Sequence, residues 1–418
     1  MIDKIISVIA RREFGRALNF DDNLNMQLPQ SPDNNPRLLY LHIPFCEELC
    51  PYCSFHRILF SEKLCRDYFE ALFREILLYK EKGYNFGAIY VGGGTPTILI
   101  DELARLIVFA KELFPVRQIS VETNPNHLTP ENLTILREAG VNRLSCGVQT
   151  FQDKLLKKIC RLDKYGSGIE IAHKLRNTKN VFETLNVDLI FNFPGQTMEM
   201  VADDLAILKK LQMDQITFYP LMVSDFSRKE MTTNLGEFSS VMEKRMYKFI
   251  SHSLHTEYET SSAWCFSRKS NNSAMLDEYV VDYDEYAGLG SGSIGYLNGV
   301  CYANTFDIAE YIRLLNDGRL PRMASRIFSH NDRMRYDFMM KLFSTRMNLK
   351  IMQDKYDGKF SNVLWKEIIA LKLAGALRYF HPDLYLTKRG RYYWVIIMRE
   401  FFTAVNNFRD HCRKSSEK

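Results

Sequence analysis

Between residues 37 and 225 the chain alternates short apolar runs with longer amphipathic ones about six times. The apolar runs LLYLHI, AIYVGGG, QISVETN, RLSCGVQ, NVDLIFNF and QITFYPL have strand length. The stretches between them include RDYFEALFREILLYKEKG, DELARLIVFAKELF, ENLTILREAG and MVADDLAILKKL. These put Leu, Ile, Phe and Ala three or four residues apart, which gives a helix one apolar face. Repeated strand–helix alternation predicts parallel strands joined by crossover helices. In such folds the loops after the strands carry the chemistry.

The rest of the chain reads differently. Residues 1–36 form an N-terminal arm, and its Asp21 to Pro36 stretch, rich in Asp, Asn and Pro, reads as a loop. Residues 226–310 extend the alternating core and hold the Gly-rich turn YAGLGSGSIGYLNG. From 311 to 418 helical patterns dominate. LWKEIIALKLAGALRYF and the following LYLTKRGRYYWVIIMREFFTAVNNF resemble a winged helix: a helix, a short β wing and a terminal helix. Net charge is +5 from 55 basic and 50 acidic residues, too mild for a nucleic-acid partner. No run of about 18 apolar residues exists, so no membrane-spanning helix is expected. The N-terminus lacks the order of a secretory signal, and the expected compartment is the cytoplasm. There thiols stay reduced. Nine cysteines, an odd number, make clustered ones metal ligands first.

That cluster is HIPFCEELCPYCSF, where Cys46, Cys50 and Cys53 follow a strand with C-x3-C-x2-C spacing. Thiolates suit zinc or iron–sulfur clusters. Three of them leave one corner of a [4Fe–4S] cube open to a small molecule. A zinc site would need a fourth ligand, from His42, His56 or Cys65. After the AIYV strand come Gly92, Gly93, Gly94, Thr95 and Pro96, where glycine allows close backbone approach.

These phrases resemble the radical S-adenosylmethionine (SAM) superfamily, and more closely the oxygen-independent coproporphyrinogen III oxidase family. That family includes heme chaperones, anaerobic heme-degrading enzymes and methyltransferases. The resemblance implies an α/β fold, an open (β/α)6 partial barrel over residues 37–225 with a mostly helical C-terminal domain. It implies that Cys46, Cys50 and Cys53 hold the cluster and that SAM chelates its open iron. One electron, from a reductant such as flavodoxin or ferredoxin, then cleaves SAM to methionine and a 5′-deoxyadenosyl radical. Tyr40 and His42 match the Y-x-H-I-P lead-in, and Tyr52 the aromatic before the last cysteine. Gly93, Gly94 and Thr95 match the loop set against the methionine moiety. Glu122, following its strand, and Gln149 match the ribose contacts. Asp188, beginning another strand, matches a further ribose contact. Arg161, in ICRLDKYG, matches the carboxylate partner, a role suited to a planar guanidinium.

Departures bear on the branch. Coproporphyrinogen dehydrogenases carry an extra cysteine where this chain has Phe55. Heme chaperones carry H-N-x-x-Y-W before the Gly-rich loop; here the segment reads NSAMLDEYVVDYDEY. The loop from Gly288 to Tyr296 resembles G-x-G-x-G-A-H, near which porphyrinogen-forming members hold a second SAM, but Ser293 and Ile294 stand in place of Ala-His. The leading expectation is a radical enzyme acting on a tetrapyrrole. The alternatives are a methyltransferase on another small molecule, using a second SAM, and a heme delivery protein. Cys65 and Cys160, on helix-like stretches, and Cys146, Cys265 and Cys301 are expected to be small buried hydrophobes. Cys412, in a basic tail, is expected to be exposed. Tyr392, Tyr393, Trp394, Phe401 and Phe402 read as core packing.

Overall fold

The computed structural model describes residues 2–18, 20, 30–269 and 283–416. Six strands run parallel: β1 (Arg37–Ile43), β2 (Phe86–Gly93), β3 (Gln118–Thr123), β4 (Arg143–Gln149), β5 (Thr184–Phe191) and β6 (Gln215–Pro220). Each apolar run of the sequence is one of them, and helices cross between successive strands.

The strands are two-faced, following the period of two. Ile119, Val121, Leu144, Cys146, Leu185, Val187, Ile216 and Phe218 point to one side and join the helices in the main core. The alternate positions are polar and face inward. Arg143 donates to Gln215 Oε1 and Ser120 Oγ, both at 2.9 Å, while Thr217 Oγ1 donates to Asn186 Oδ1 at 3.0 Å. Buried polar groups are stable where they satisfy one another, and these do. The register puts Glu122 opposite Ser145 and Gly147 opposite Asp188, so one polar layer crosses from strand to strand.

The sheet continues past both ends of this core to twelve strands. On one side β7 (Tyr258–Thr260) and β8 (Cys265–Arg268) add antiparallel to β6. On the other, β9 (Tyr286–Leu289) pairs parallel with β1, and β10 (Ile294–Leu297), β11 (Val300–Asn304) and β12 (Arg322–Ile327) follow antiparallel. The C-terminal part is mainly helical. Its small antiparallel sheet joins Arg346–Asn348, Leu377–Phe380 and Asp383–Leu386 ahead of the long helix Lys388–Ser416.

The segment read as an arm is helical over Ile2–Ala17 and lies along the terminal helix. Ser7 Oγ donates to Glu400 Oε1 at 2.7 Å, Arg11 Nε bonds Glu400 Oε2 at 2.8 Å, and Phe14 meets Phe401 edge-on. Residues 21–29 of the predicted loop, and 272–282 of the phrase before the Gly-rich turn, lie outside the described residues. Two cysteines depart from expectation. Cys412 is buried against Phe408 and Phe306, because the terminal helix packs on the sheet edge instead of trailing away. Cys160 is exposed in a turn between two short helices, with a left-handed φ of 57°.

Candidate functional site

The cysteine loop leaves β1 and is pinched at its base. Phe45–Cys46 pairs with Ile58–Leu59, and Phe60 N donates to Cys46 O at 2.8 Å. Within the loop Cys53 N donates to Cys50 O at 3.2 Å, the tight turn that C-x2-C spacing favours. All three thiols are free. Thr95 Oγ1 donates towards Cys46 Sγ at 3.8 Å, and Arg161 Nη1 towards Cys50 Sγ at 3.7 Å. Burial, with Cys53 adding to it, pushes the Cys46 thiol up to about 11. Such a thiol gives up its proton to a metal, which deprotonates its thiol ligands outright.

The GGGTPT segment closes over the loop. Gly94 N donates to Ile43 O and Thr95 N to Phe45 O, each at 2.8 Å. A Cβ on Gly94 would stand 2.6 Å from Phe45 O and 2.9 Å from Cys46 Sγ, so only glycine fits there. Gly93 N points at Glu122 Oε2 (3.2 Å), and Tyr90 OH donates to Glu122 Oε1 at 2.8 Å. Glu122 lies inside β3, one residue before its end, and not after the strand. Asp188 is likewise mid-strand in β5 and does not begin it. Its side chain faces inward and accepts from Ser145 Oγ at 2.6 Å and Asn186 Nδ2 at 2.7 Å. Gln149 ends β4 at a bulge with φ 73°, a distortion that re-aims a side chain. Asp204 fixes the next residues by accepting from Thr150 Oγ1 at 2.8 Å and Phe151 N at 2.9 Å.

Arg161 sits buried at the centre. Its guanidinium bonds Tyr52 OH (3.4 Å), Asn124 Oδ1 (3.1 Å) and the Gly147 carbonyl, and lies 4.0 Å from the Tyr165 ring centroid. Its Nε–H is buried without a hydrogen-bond partner among the described residues, a donor that an anionic ligand suits.

Two histidines brace this end from behind. Burial holds His42 down at about 4 and His56 well below its ordinary value, so both are neutral. Tyr40 OH lies 2.9 Å from His42 Nδ1, and His42 Nε2 lies 3.0 Å from His56 O. A carbonyl only accepts, so the His42 proton is on Nε2 and Tyr40 donates. His56 Nε2 meets Ser291 Oγ at 3.1 Å, tying the Gly-rich turn to the cysteine loop.

One cavity of about 990 Å³ is lined by Tyr40, Cys46, Cys50, Tyr52, Cys53, Gly93, Gly94, Thr95, Glu122, Gln149, Arg161 and Asp188 together. His42, His56 and Cys65 do not line it. Among the described residues no three His, Cys, Asp or Glu side chains converge on a single-ion position. Thiolates on separate corners of a cube need no such convergence. The far wall is largely apolar and aromatic: Tyr296, Phe328 and Tyr336 from one side, Trp394, Phe401 and Phe402 from the terminal helix, and Ile6, Ala10 and Phe14 from the N-terminal helix. Trp394, Phe401 and Phe402, expected only to pack, therefore also face the cavity. Tyr392 and Tyr393 are buried as expected.

Sequence reasoning passed over Arg57, Tyr90, Asn124 and Tyr165, which line the same cavity. Asn124 follows Glu122 by two in VETNP, the spacing that keeps residues on one face, and was findable from that. For Tyr165 the sequence carries no comparable signal.

The family model of the radical SAM superfamily matches residues 40–208. The heme chaperone HemW of Lactococcus lactis is 31% identical over 336 residues, covering 78% of this chain and 85% of that protein. HemW of Bacillus subtilis is 30% identical over 375 residues, covering 84% and 95%. The solved structure of coproporphyrinogen III oxidase (HemN) from Escherichia coli, a radical SAM enzyme, superposes with a TM-score of 0.77 at 22% identity, over 92% of this chain and 95% of that one.

Proposed function

This chain belongs to the radical SAM superfamily, among the HemW- and HemN-like proteins, and we propose that it is an enzyme that cleaves SAM to act on a tetrapyrrole. The cofactors of that superfamily are a [4Fe–4S] cluster and SAM, and the residues present fit both. Three thiols on one loop face one cavity, donors from Thr95 and Arg161 aim at two of the sulfurs, and the orphan Arg161 Nε–H awaits an anion. In this reading Cys46, Cys50 and Cys53 hold the cluster, which when bound supplies the single electron that cleaves SAM.

The chain's own residues bind and orient. Arg161 takes the methionine carboxylate, the GGGTPT backbone its amino end, and Glu122, Gln149 and Asp188 the ribose. Tyr90 and Ser145 donate to Glu122 and Asp188 respectively, keeping those carboxylates aimed before SAM arrives. The helices Ile2–Ala17 and Lys388–Ser416 wall the far end. Holding both reactants in one chamber is an orientation effect, the main help a protein gives to a short-lived radical.

The observation that carries this reading is the single cavity: the cysteines, the SAM-binding side chains and the aromatic wall share one chamber of about 990 Å³. That is the upper range for small-molecule sites and suits SAM plus a second large ligand. The test is anaerobic turnover with a one-electron reductant of the flavodoxin or ferredoxin class. 5′-Deoxyadenosine is quantified by mass spectrometry with heme, coproporphyrinogen III or no tetrapyrrole present. Acceleration by a tetrapyrrole with a product of changed mass supports the enzyme.

A second reading, heme delivery, is favoured by the two relatives named heme chaperones, of which the chain covers 85% and 95%. Bound heme of unchanged mass, with no 5′-deoxyadenosine from a fully loaded cluster, selects it.

A further inference from the structure

The cysteine loop closes on a guanidinium. Arg57 Nη2 donates to the carbonyl oxygens of both Cys50 and Cys53, each at 2.7 Å, so a single nitrogen ties the two ends of the CPYC turn together. Arg57 stands just before Ile58, where the loop is pinched onto Phe45–Cys46, so its own backbone is fixed. The side chain is partly buried and lines the cavity beside the cysteines. Its Nε–H is buried with no hydrogen-bond partner among the described residues. Among the described residues its hydrogen bonds go to the loop's own carbonyls and not to a carboxylate.

Two physical effects follow. Two charge-assisted bonds from one donor fix the turn that spaces the second and third thiols. A full positive charge is also set against the thiolates in a setting poorer in water than bulk, where Coulomb forces are stronger. One electron taken from a ferredoxin- or flavodoxin-class reductant turns a 2+ cluster core into a 1+ core, with no bond made or broken. A fixed cation favours the more negative product. We propose that Arg57 is a positioning residue that shapes the cysteine loop and raises the reduction potential of the cluster it holds. This rests on the reading that Cys46, Cys50 and Cys53 are the ligands.

Two substitutions separate the effects. Arg57→Lys keeps the charge, but its shorter side chain does not carry a nitrogen to where Nη2 meets both carbonyls. Arg57→Gln keeps a donor and loses the charge. The full chain is reconstituted anaerobically, iron and sulfide are counted, and the midpoint potential is read by titration followed by electron paramagnetic resonance. The expected result is a potential shifted negative in Arg57→Gln and close to wild type in Arg57→Lys, with faster iron loss to a chelator in Arg57→Lys. Failure of Arg57→Gln to load, with Arg57→Lys loading at the wild-type potential, also supports the proposal. Equal potentials in wild type and Arg57→Gln at equal iron content overturn it. Full iron retention in a Cys50→Ala variant fails the ligand reading itself, whatever Arg57 does.

Discussion

Arg161 Nη1 lies 3.7 Å from Cys50 Sγ, although 111 positions separate them in the chain. The same guanidinium reaches Tyr52 on the cysteine loop, Asn124 after β3 and Gly147 in β4. One buried cation thus joins the cysteine loop to two neighbouring strands. It is a strut for the loop, and its Nε–H is left without a hydrogen-bond partner among the described residues.

Arg161→Lys keeps a charge but cannot span Asn124, Gly147 and a carboxylate at once. SAM affinity, measured by calorimetry on cluster-loaded protein, should fall by about 1.5–3 kcal/mol, roughly ten- to a hundredfold in Kd. Unchanged affinity removes Arg161 from the SAM site.

Gly94→Ala forces a methyl group into the space between Phe45 O and Cys46 Sγ. Backbone cannot retreat as a side chain can, so Cys46 must shift. The variant should lose stability on the scale of about 1–3 kcal/mol for overpacking and retain little iron after reconstitution. Wild-type iron content would show that the loop and GGGTPT are less tightly apposed than the geometry requires.

Glu75 gives a pH signature remote from the thiols. It is fully buried, and burial raises its carboxyl from 4.5 to about 7, against hydrogen bonds from Tyr311, Gly290 and Asn304. Between those values the folded chain keeps a proton that the unfolded chain has lost. Stability from this group is therefore full below 4.5 and declines as pH rises through about 7, by about 3 kcal/mol in all. Glu75→Gln mimics the protonated acid and cannot titrate. Denaturant unfolding at about pH 5 and about pH 8 should show the wild type losing more stability than the variant over that interval. Parallel losses in both proteins exclude Glu75 as the source.

Ala10 is the one fully buried residue on the helix Ile2–Ala17, and it lines the cavity between Ser7 and Arg11, which hold that helix to Glu400. Ala10→Phe should crowd the far end and weaken tetrapyrrole binding about tenfold, on the scale of ~1–3 kcal/mol for overpacking. SAM affinity should not change, since none of the residues proposed to hold SAM is on the helix Ile2–Ala17. Equal weakening of both ligands argues that the two ends are not separate.

The sequence by itself determined the elements and the spacing of the three cysteines. Period-two alternation in QISVET and NVDLIF sets which side chains face inward, and 3.6-residue periodicity sets the helices between them, because both are local properties of the chain. C-x3-C-x2-C is local in the same sense. What depended on distant contacts was not legible. Asp188 reads as a strand start from its apolar neighbours, yet three residues before Val187 also join β5 because β4 extends far enough to pair with them. Cys412 reads as part of a basic tail, and only the packing of the terminal helix on the sheet edge buries it. The placing of Arg161 on Cys50, of Arg57 on its two carbonyls and of the two terminal helices over one cavity was decided by tertiary structure alone. Each requires segments far apart in the chain to meet in one register. That register is fixed by the summed burial of the whole core, and no window of local sequence contains it.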